Sequence, residues 1–403
     1  MSSAKNQKAL RDDEVVIVDG VRTPMVEYEG HFADLSANDL GGLAISALIE
    51  RSGAEAGQID HVVMGNALQT SGDAIYGARH ASLKGGLSIE VPALTVNRIC
   101  GSGIQSIVSA AQLILLGESD TCIAGGQENM TQAPHVIRGA RKGFRLGQGQ
   151  LEDSLMVALM DPFCGFYMAQ TAENLARDND ISREEQDAFA LRSQQSAAAA
   201  IEAGKLAEEI VPVTVGKGKR ERVIDADDHC RPETTLESLA KLRPAFGKDG
   251  MVTAGNASGI VDGAAAVLTC SGAVAKERGW EPLGRIAGWA VAGVEPRIMG
   301  IGPVPAIRKV LDATGCSLGE VDLIEINEAF AAQYLACERA LELDRDRVNV
   351  NGGAIALGHP LAASGTRITL TLLKELRRRG GKRGIASACI GGGQGIAIMV
   401  ETL

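Results

Sequence analysis

Aromatic residues are scarce in this chain: two Trp, four Tyr and seven Phe make up 3% of 403 residues. A core short of rings must pack through close contact of small side chains. The 49 glycines and abundant alanine suit an α/β protein with helices tight against sheets and Gly-rich turns. No apolar run of about 18 residues occurs, so no membrane-spanning helix is expected. Met1 to Gln7 lack the apolar stretch of a secretion signal, and Glu401-Thr402-Leu403 is not a peroxisomal address. Positive charge is not in excess: the formal net charge is −10, which argues against a nucleic-acid partner held by a global basic surface. Paired cysteines are missing too. Eight cysteines occur without any Cys-x-x-Cys spacing, so no metal motif is read and reduced thiols in a cytoplasm are expected.

The length allows two or three domains with sizeable cores. Strand-like and helix-like stretches alternate at first: Val15–Val18, Leu40–Ile49, His61–Met64, Ser106–Leu116 and Thr121–Ala124. From about 131 to 252 the pattern breaks into Gly-rich and charged loops plus helices. One of these helices runs from Ser182 to Ala203, opened by the capping box Ser182-Arg183-Glu184-Glu185. Alternation resumes at Ala264–Thr269 and continues through Leu323–Ile326 and Ile385–Cys389. The pattern thus breaks the chain at about 131 and 252.

Cys100 stands out chemically. It lies in Val96-Asn97-Arg98-Ile99-Cys100-Gly101-Ser102-Gly103, after a short apolar stretch and before a helical pattern at Ile104, Ile107, Ala110, Ala111 and Leu113. A cysteine where a strand hands over to a helix meets unpaired N–H groups and a partial positive charge, both of which favour the nucleophilic thiolate. The bland reading, a small buried hydrophobe, is given to Cys122, Cys164, Cys230, Cys270, Cys316 and Cys337.

Two further segments carry a density of glycine that packed elements do not tolerate cheaply: Asn349-Val350-Asn351-Gly352-Gly353-Ala354-Ile355-Ala356-Leu357-Gly358-His359-Pro360, and Ala388-Cys389-Ile390-Gly391-Gly392-Gly393-Gln394-Gly395. Among six histidines only His359 stands between Gly and Pro just before a helical pattern. It reads either as a loop histidine with ordinary hydrogen bonds or as a general base whose unperturbed pKa is near neutral. A third segment, Ile324-Glu325-Ile326-Asn327-Glu328-Ala329-Phe330, reads as a buried strand entering a helix. Asn327 there is either a helix N-cap or an amide that polarises a water or a carbonyl. The run Thr253-Ala254-Gly255-Asn256-Ala257-Ser258-Gly259 reads as a tight turn leading into a helix at Asp262–Ala266. Lys217, Lys219, Arg220, Arg222 and Arg231 could form a local patch for an anionic substrate, or a solvated loop.

Taken together, in this order and spacing, these segments resemble the thiolase family over nearly the whole chain, from Val15 to Glu401. The resemblance implies a thiolase-like α/β fold, two similar halves with five-stranded mixed sheets packed together plus an inserted loop domain: an N-terminal half over 1–130, completed by about 253–282, the loop domain over 131–252 and a C-terminal half over 283–403, with the site between the halves. It implies acyl exchange between coenzyme A thioesters, with CoA and acyl-CoA as substrates and no cofactor or metal. Cys100 would be acylated, His359 would take its proton, and Cys389 would be the second acid/base. N–H groups of Cys100 and Gly391 would form one oxyanion hole; His359 and a water on Asn327 would form the other. Ser258 would contact pantetheine, Arg231 and Ser238 the adenine end, Met168 and Tyr167 would line the pocket, and Ala329 and Phe330 would contact the substrate or CoA. Small-molecule acyl-CoA partners and a homo-tetramer or dimer are implied, with no nucleic acid and no membrane. Two departures put the acyl preference in question: Tyr167 stands where short-chain biosynthetic members carry His, and Leu361-Ala362 where Ile-Gly is usual. The implied reaction is acetyl-CoA C-acetyltransfer. A degradative 3-ketoacyl-CoA thiolase for longer chains is the alternative, and a carrier-protein-dependent condensing enzyme or a non-catalytic acyl-CoA binder the weaker rivals.

Overall fold

The computed structural model describes residues 10–147 and 149–403. Its backbone is one large mixed sheet. Across it the strands run Leu323–Ile326, Arg383–Ile390, Gln394–Glu401, Gly284–Gly293, Val15–Arg22, Val261–Ser271, Thr121–Glu128, His61–Gly65 and Ala93–Val96. Five of these form the first half. The second half has four, with a one-residue parallel bridge between Ile324 and Val348 at its outer edge. The halves join where Val16 pairs with Arg285 and Ile17 with Gly284.

Three apolar layers hold this arrangement. The middle one draws on both halves: Ile104, Ile107 and Ile114 from the helix Ser102–Leu115, Ile368, Leu372 and Leu376 from Leu361–Arg379, and strand residues from Val63 to Ile398. Their three- and four-residue spacing turns one stripe of each helix inward. Burying an isoleucine such as Ile104, fully enclosed here, contributes about 1.5–3 kcal/mol. The helix Ala37–Ser52 covers the first half from outside; Pro303–Thr314 and Ala331–Leu341 cover the second.

The two central helices approach backbone to backbone. A Cβ on Gly103 would collide with the Ala362 carbonyl and the Thr366 amide, and one on Gly365 with the Ile104 amide. A Cβ on Gly126 would also overlap the Ala362 carbonyl. Glycine is therefore required at this crossing by space rather than by dihedral angle.

The helix Arg183–Glu202 begins as its capping box indicates, with Ser182 N donating to Glu185 at 2.8 Å and Glu185 N to Ser182 Oγ at 3.2 Å. Two expectations need correction. Asp262–Ala266 does not open a helix but lies in the strand Val261–Ser271, between Val15–Arg22 and Thr121–Glu128. Its small residues are what a central strand uses where helices press on the sheet, and that packing overrides alanine's helix preference. Asn327 is not an N-cap; the helix after it is Ala331–Leu341, with Phe330 at the cap position. Among the described residues no helix is long and apolar enough to cross a membrane.

Candidate active site

Cys100 sits in a single 3₁₀ turn, Ile99–Gly101, between the strand Ala93–Val96 and the helix Ser102–Leu115. Ile99 there has φ of 48°, a left-handed backbone costly for a β-branched residue. The turn is held by its neighbours. Ile99 N donates to Asn97 Oδ1 at 2.9 Å, Ser102 Oγ donates to Ile99 O at 2.7 Å, and Arg98 N donates to Ser102 Oγ at 2.8 Å. The strained turn places Cys100 in the lining of a cavity of about 480 Å³.

His359 enters the same cavity from the second half, immediately ahead of the helix Leu361–Arg379. It is buried. Its Nδ1 lies 2.5 Å from Ser364 Oγ and its Nε2 3.3 Å from Asn327 Nδ2. Ser364 Oγ donates to Pro360 O at 3.1 Å, so this oxygen is left to accept from Nδ1–H. That assigns the proton to Nδ1 and leaves the Nε2 lone pair, which accepts from Asn327 Nδ2, as the basic site. Ser364→Ala is expected to lower kcat/KM by about 10–10²-fold, because a buried N–H left without its acceptor costs about 1–3 kcal/mol. Steady-state kinetics with an unchanged melting temperature would check this.

Electrostatics make the resting pair neutral. Burial pushes the Cys100 thiol up to about 12, against the opposing pull of the Gly391 and Cys100 backbone N–H groups at the sulfur. Burial, aided by repulsion from the buried Arg367, drives His359 down to about 3. The helix N-terminus alone led us to expect a thiolate; desolvation outweighs it in the unliganded site. A thiol facing a neutral imidazole moves its proton only as the sulfur attacks.

Cys389 does not line the cavity. It is fully buried just behind, packed with Met299, Ala329, Met168 and Phe330. Its thiol is held well above the usual range, first by burial and then by the nearby Cys100. Asn327 likewise stands behind His359, and its buried Oδ1 has no hydrogen-bond partner. That orphaned acceptor, beside the imidazole, fits a bound water.

The remaining residues divide clearly. Gly391, Ser258, Met168, Tyr167, Ala329 and Phe330 all line the cavity. The Ser258 segment is pinned to the Asn327 segment, with Ser258 N donating to Ala329 O at 3.0 Å. Tyr167 stacks on Phe246 with ring centroids 5.2 Å apart, so it forms part of the wall. Arg231 and Ser238 are outside the cavity lining: Arg231 pairs with Glu27, and Ser238 lies exposed in a short capped helix, Leu236–Ala240. Lys217, Lys219, Arg220 and Arg222 are exposed as well. Of the two departures, Leu361 reaches the cavity, while Ala362 is buried at the helix crossing.

Sequence reasoning missed most of the wall: Met130, Met156, Leu159, Met160, Phe246 and Met299. Five of the ten methionines, Met130, Met156, Met160, Met168 and Met299, converge here. Thioether side chains adapt to varied apolar ligands, so this wall suits a flexible acyl or alkyl chain. Among the described residues no cluster of His, Cys, Asp and Glu could hold a metal ion.

Comparison with known proteins agrees with this layout. Residues 15–273 match the family model for the thiolase N-terminal domain, and 280–402 that for the thiolase C-terminal domain. The chain is 52% identical over 389 residues to the mitochondrial 3-ketoacyl-CoA thiolase of Homo sapiens, covering 96% of this chain and 98% of that one. It is 53% identical over 387 residues to an acetyl-CoA acetyltransferase of Pseudomonas aeruginosa, with 96% and 98% covered. The crystal structure of human mitochondrial 3-ketoacyl-CoA thiolase in complex with CoA superposes with a TM-score of 0.95 at 51% identity, covering 98% of this chain and 99% of that one.

Proposed function

The chain belongs to the thiolase family, and from that premise we propose that it transfers acyl groups between CoA thioesters through an acyl-enzyme on Cys100. The reaction is 2 acetyl-CoA to and from acetoacetyl-CoA and CoA. The observation that carries this reading is the meeting of Cys100 and His359 in one apolar cavity, with Cys389 behind them.

In thiolysis, Cys100 Sγ attacks the 3-keto carbonyl while its proton passes to His359 Nε2. The Cys100 and Gly391 N–H groups, already at the sulfur, stabilise the oxyanion. Removing one such donor elsewhere costs about 3–4 kcal/mol. The C2–C3 bond then breaks. Its electron pair forms the acetyl-CoA enolate, whose oxygen accepts from His359 Nε2–H and from a water on Asn327. Cys389, a thiol at rest, gives its proton to the enolate carbon. CoA attacks the acyl group on Cys100, the Cys100 thiolate leaves and takes back the proton held on His359, and the CoA thiol proton restores Cys389. The route needs no metal and no cofactor. Ser258 contacts pantetheine in this reading, and Arg231 and Ser238 meet the adenine end where it leaves the cavity.

A longer acyl chain is the second reading, favoured by the methionine-rich wall and by the Tyr167–Phe246 plate. Thiolysis of acetoacetyl-CoA measured against a long-chain 3-oxoacyl-CoA decides between them. We expect the higher kcat/KM with acetoacetyl-CoA; a higher value with the long chain assigns the protein to degradative thiolysis. A reducing compartment, the cytoplasm in our reading, keeps both thiols free. A homo-oligomer is proposed too, and the exposed apolar residues Ile137, Phe144, Leu146 and Leu151 offer it a contact surface.

A further inference from the structure

Glu128 ends the strand Thr121–Glu128 and is completely buried. Its carboxylate collects four N–H donors. Asn66 Nδ2 and Leu68 N reach Oε1 at 2.9 Å, while Ala67 N and Ala362 N reach Oε2 at 3.0 Å. Two donors on each oxygen leave no place for a carboxyl proton, so the group is held as an anion although burial raises it to about 7.

The donors come from both halves. Ala362 lies in the first turn of the helix Leu361–Arg379, whose N-cap residue Pro360 supplies no side-chain cap. Glu128 caps that helix from the other half, three residues from His359. On the other side, Ala67 O accepts from Asn97 Nδ2 at 3.1 Å, and Asn97 Oδ1 accepts from Ile99 N at 2.9 Å. Ile99 is the left-handed residue that aims Cys100. Ala67, Leu68 and Cys100 all pack against one small apolar cluster of Met130, Leu155 and Leu361.

We propose that Glu128 is a positioning residue of the thiolase reaction, a buried brace that sets the Cys100 turn against the His359 helix through Ala67–Asn97 on one side and Ala362 on the other. The proposal rests on the functional reading above. It has a second consequence. The anion lies near Cys100 and opposes its ionisation. The other titratable groups facing the pair are Asp262, beside Glu128, and Cys389, beside Cys100, with His359 across the cavity. Glu128 is the charged group that opposes the Cys100 charge. Its loss should ease thiolate formation even as it spoils alignment.

Two variants test this in the full chain. In Glu128→Gln the amide NH₂ faces N–H donors and the charge is gone. We expect kcat for thiolysis to fall by about 10²-fold, the cost of a misplacement of about 1 Å. We expect alkylation of Cys100 by iodoacetamide near pH 8, followed on the Cys100 peptide by mass spectrometry, to speed up by about threefold or more. A purely structural role would lower the first without raising the second. Asn97→Ala, at an exposed position, cuts the relay without disturbing the buried anion. There kcat should fall by about tenfold, the worth of one or two hydrogen bonds, with the alkylation rate unchanged. A kcat within twofold of the parent in Asn97→Ala overturns the brace, even if Glu128→Gln fails to fold. Alkylation of folded Glu128→Gln no faster than the parent overturns it equally. The alkylation readout needs no substrate, so its failure is distinct from failure of the thiolase reading, which loss of activity in Cys100→Ala tests.

Discussion

Cys100→Ala is expected to lower thiolysis by a factor on the order of 10⁴ or more, the scale on which nucleophile removal acts in covalent enzymes. CoA should bind that variant with an affinity close to the parent's. The magnitude follows from the neutrality of the site. His359 is held near 3 and stores no proton in the resting enzyme, so in the proposed first step it takes its proton from Cys100, which lines the same cavity. Without the sulfur, the Gly391 and Cys100 N–H groups have no tetrahedral intermediate to stabilise. Isothermal titration with CoA and steady-state kinetics on one preparation check both halves of the statement. Activity within tenfold of the parent would remove the acyl-enzyme mechanism.

Cys389→Ala is expected to lower C–C bond cleavage by about 10²–10⁴-fold, the usual worth of a placed acid/base. Acylation of Cys100 by acetyl-CoA should change by less than about tenfold. The separation has a structural basis. Cys389 lies outside the cavity lining, packed with Ala329 and Met299, while Cys100 lines the cavity together with His359. Burial keeps Cys389 protonated, as an acid must be before it meets a carbanion. Mass spectrometry of the Cys100 adduct reads acylation; thiolysis of acetoacetyl-CoA reads the carbon chemistry. Equal losses in both would merge the two roles and overturn their assignment to different thiols.

The residues that gather at the candidate site were legible where chemistry and backbone geometry coincide within a few residues. Cys100 with its Gly-Ser-Gly, His359 between Gly and Pro, and Cys389 before three glycines each mark a junction where one element ends and the next begins. The capping box at Ser182 was legible for the same reason, since cap and partner are three residues apart. The cavity wall was not. Met130, Met156 and Met299 come from distant segments, and each alone is ordinary core. Asp262–Ala266 misled because local helix preference in Ala-Ala-Ala yields to the demands of a central strand. The ionisation states were also out of reach. Proximity to a helix terminus is written in the sequence, but the depth of burial that overrules it at Cys100 arises only when both halves close. Glu128 shows the limit most clearly, since nothing around it in the chain hints at donors sixty residues before and more than two hundred after.

The bare backbone contact of Gly103, Gly126 and Gly365 with the opposing helix bears on how this scaffold can change over evolutionary time. Side chains at an ordinary interface can be exchanged in compensating pairs. A crossing with no side chains has nothing to exchange, so mutational drift is barred from the region that aligns Cys100 and His359. Innovation is diverted to the segments that furnish the wall, residues 156–168 and Phe246, which lie in loops, short ribbons and helix ends where substitution is tolerated. The molecule therefore separates an inheritance that must be copied faithfully from a periphery free to diversify, and descendants of one ancestor can differ in the acyl chain they accept while sharing every step of its chemistry.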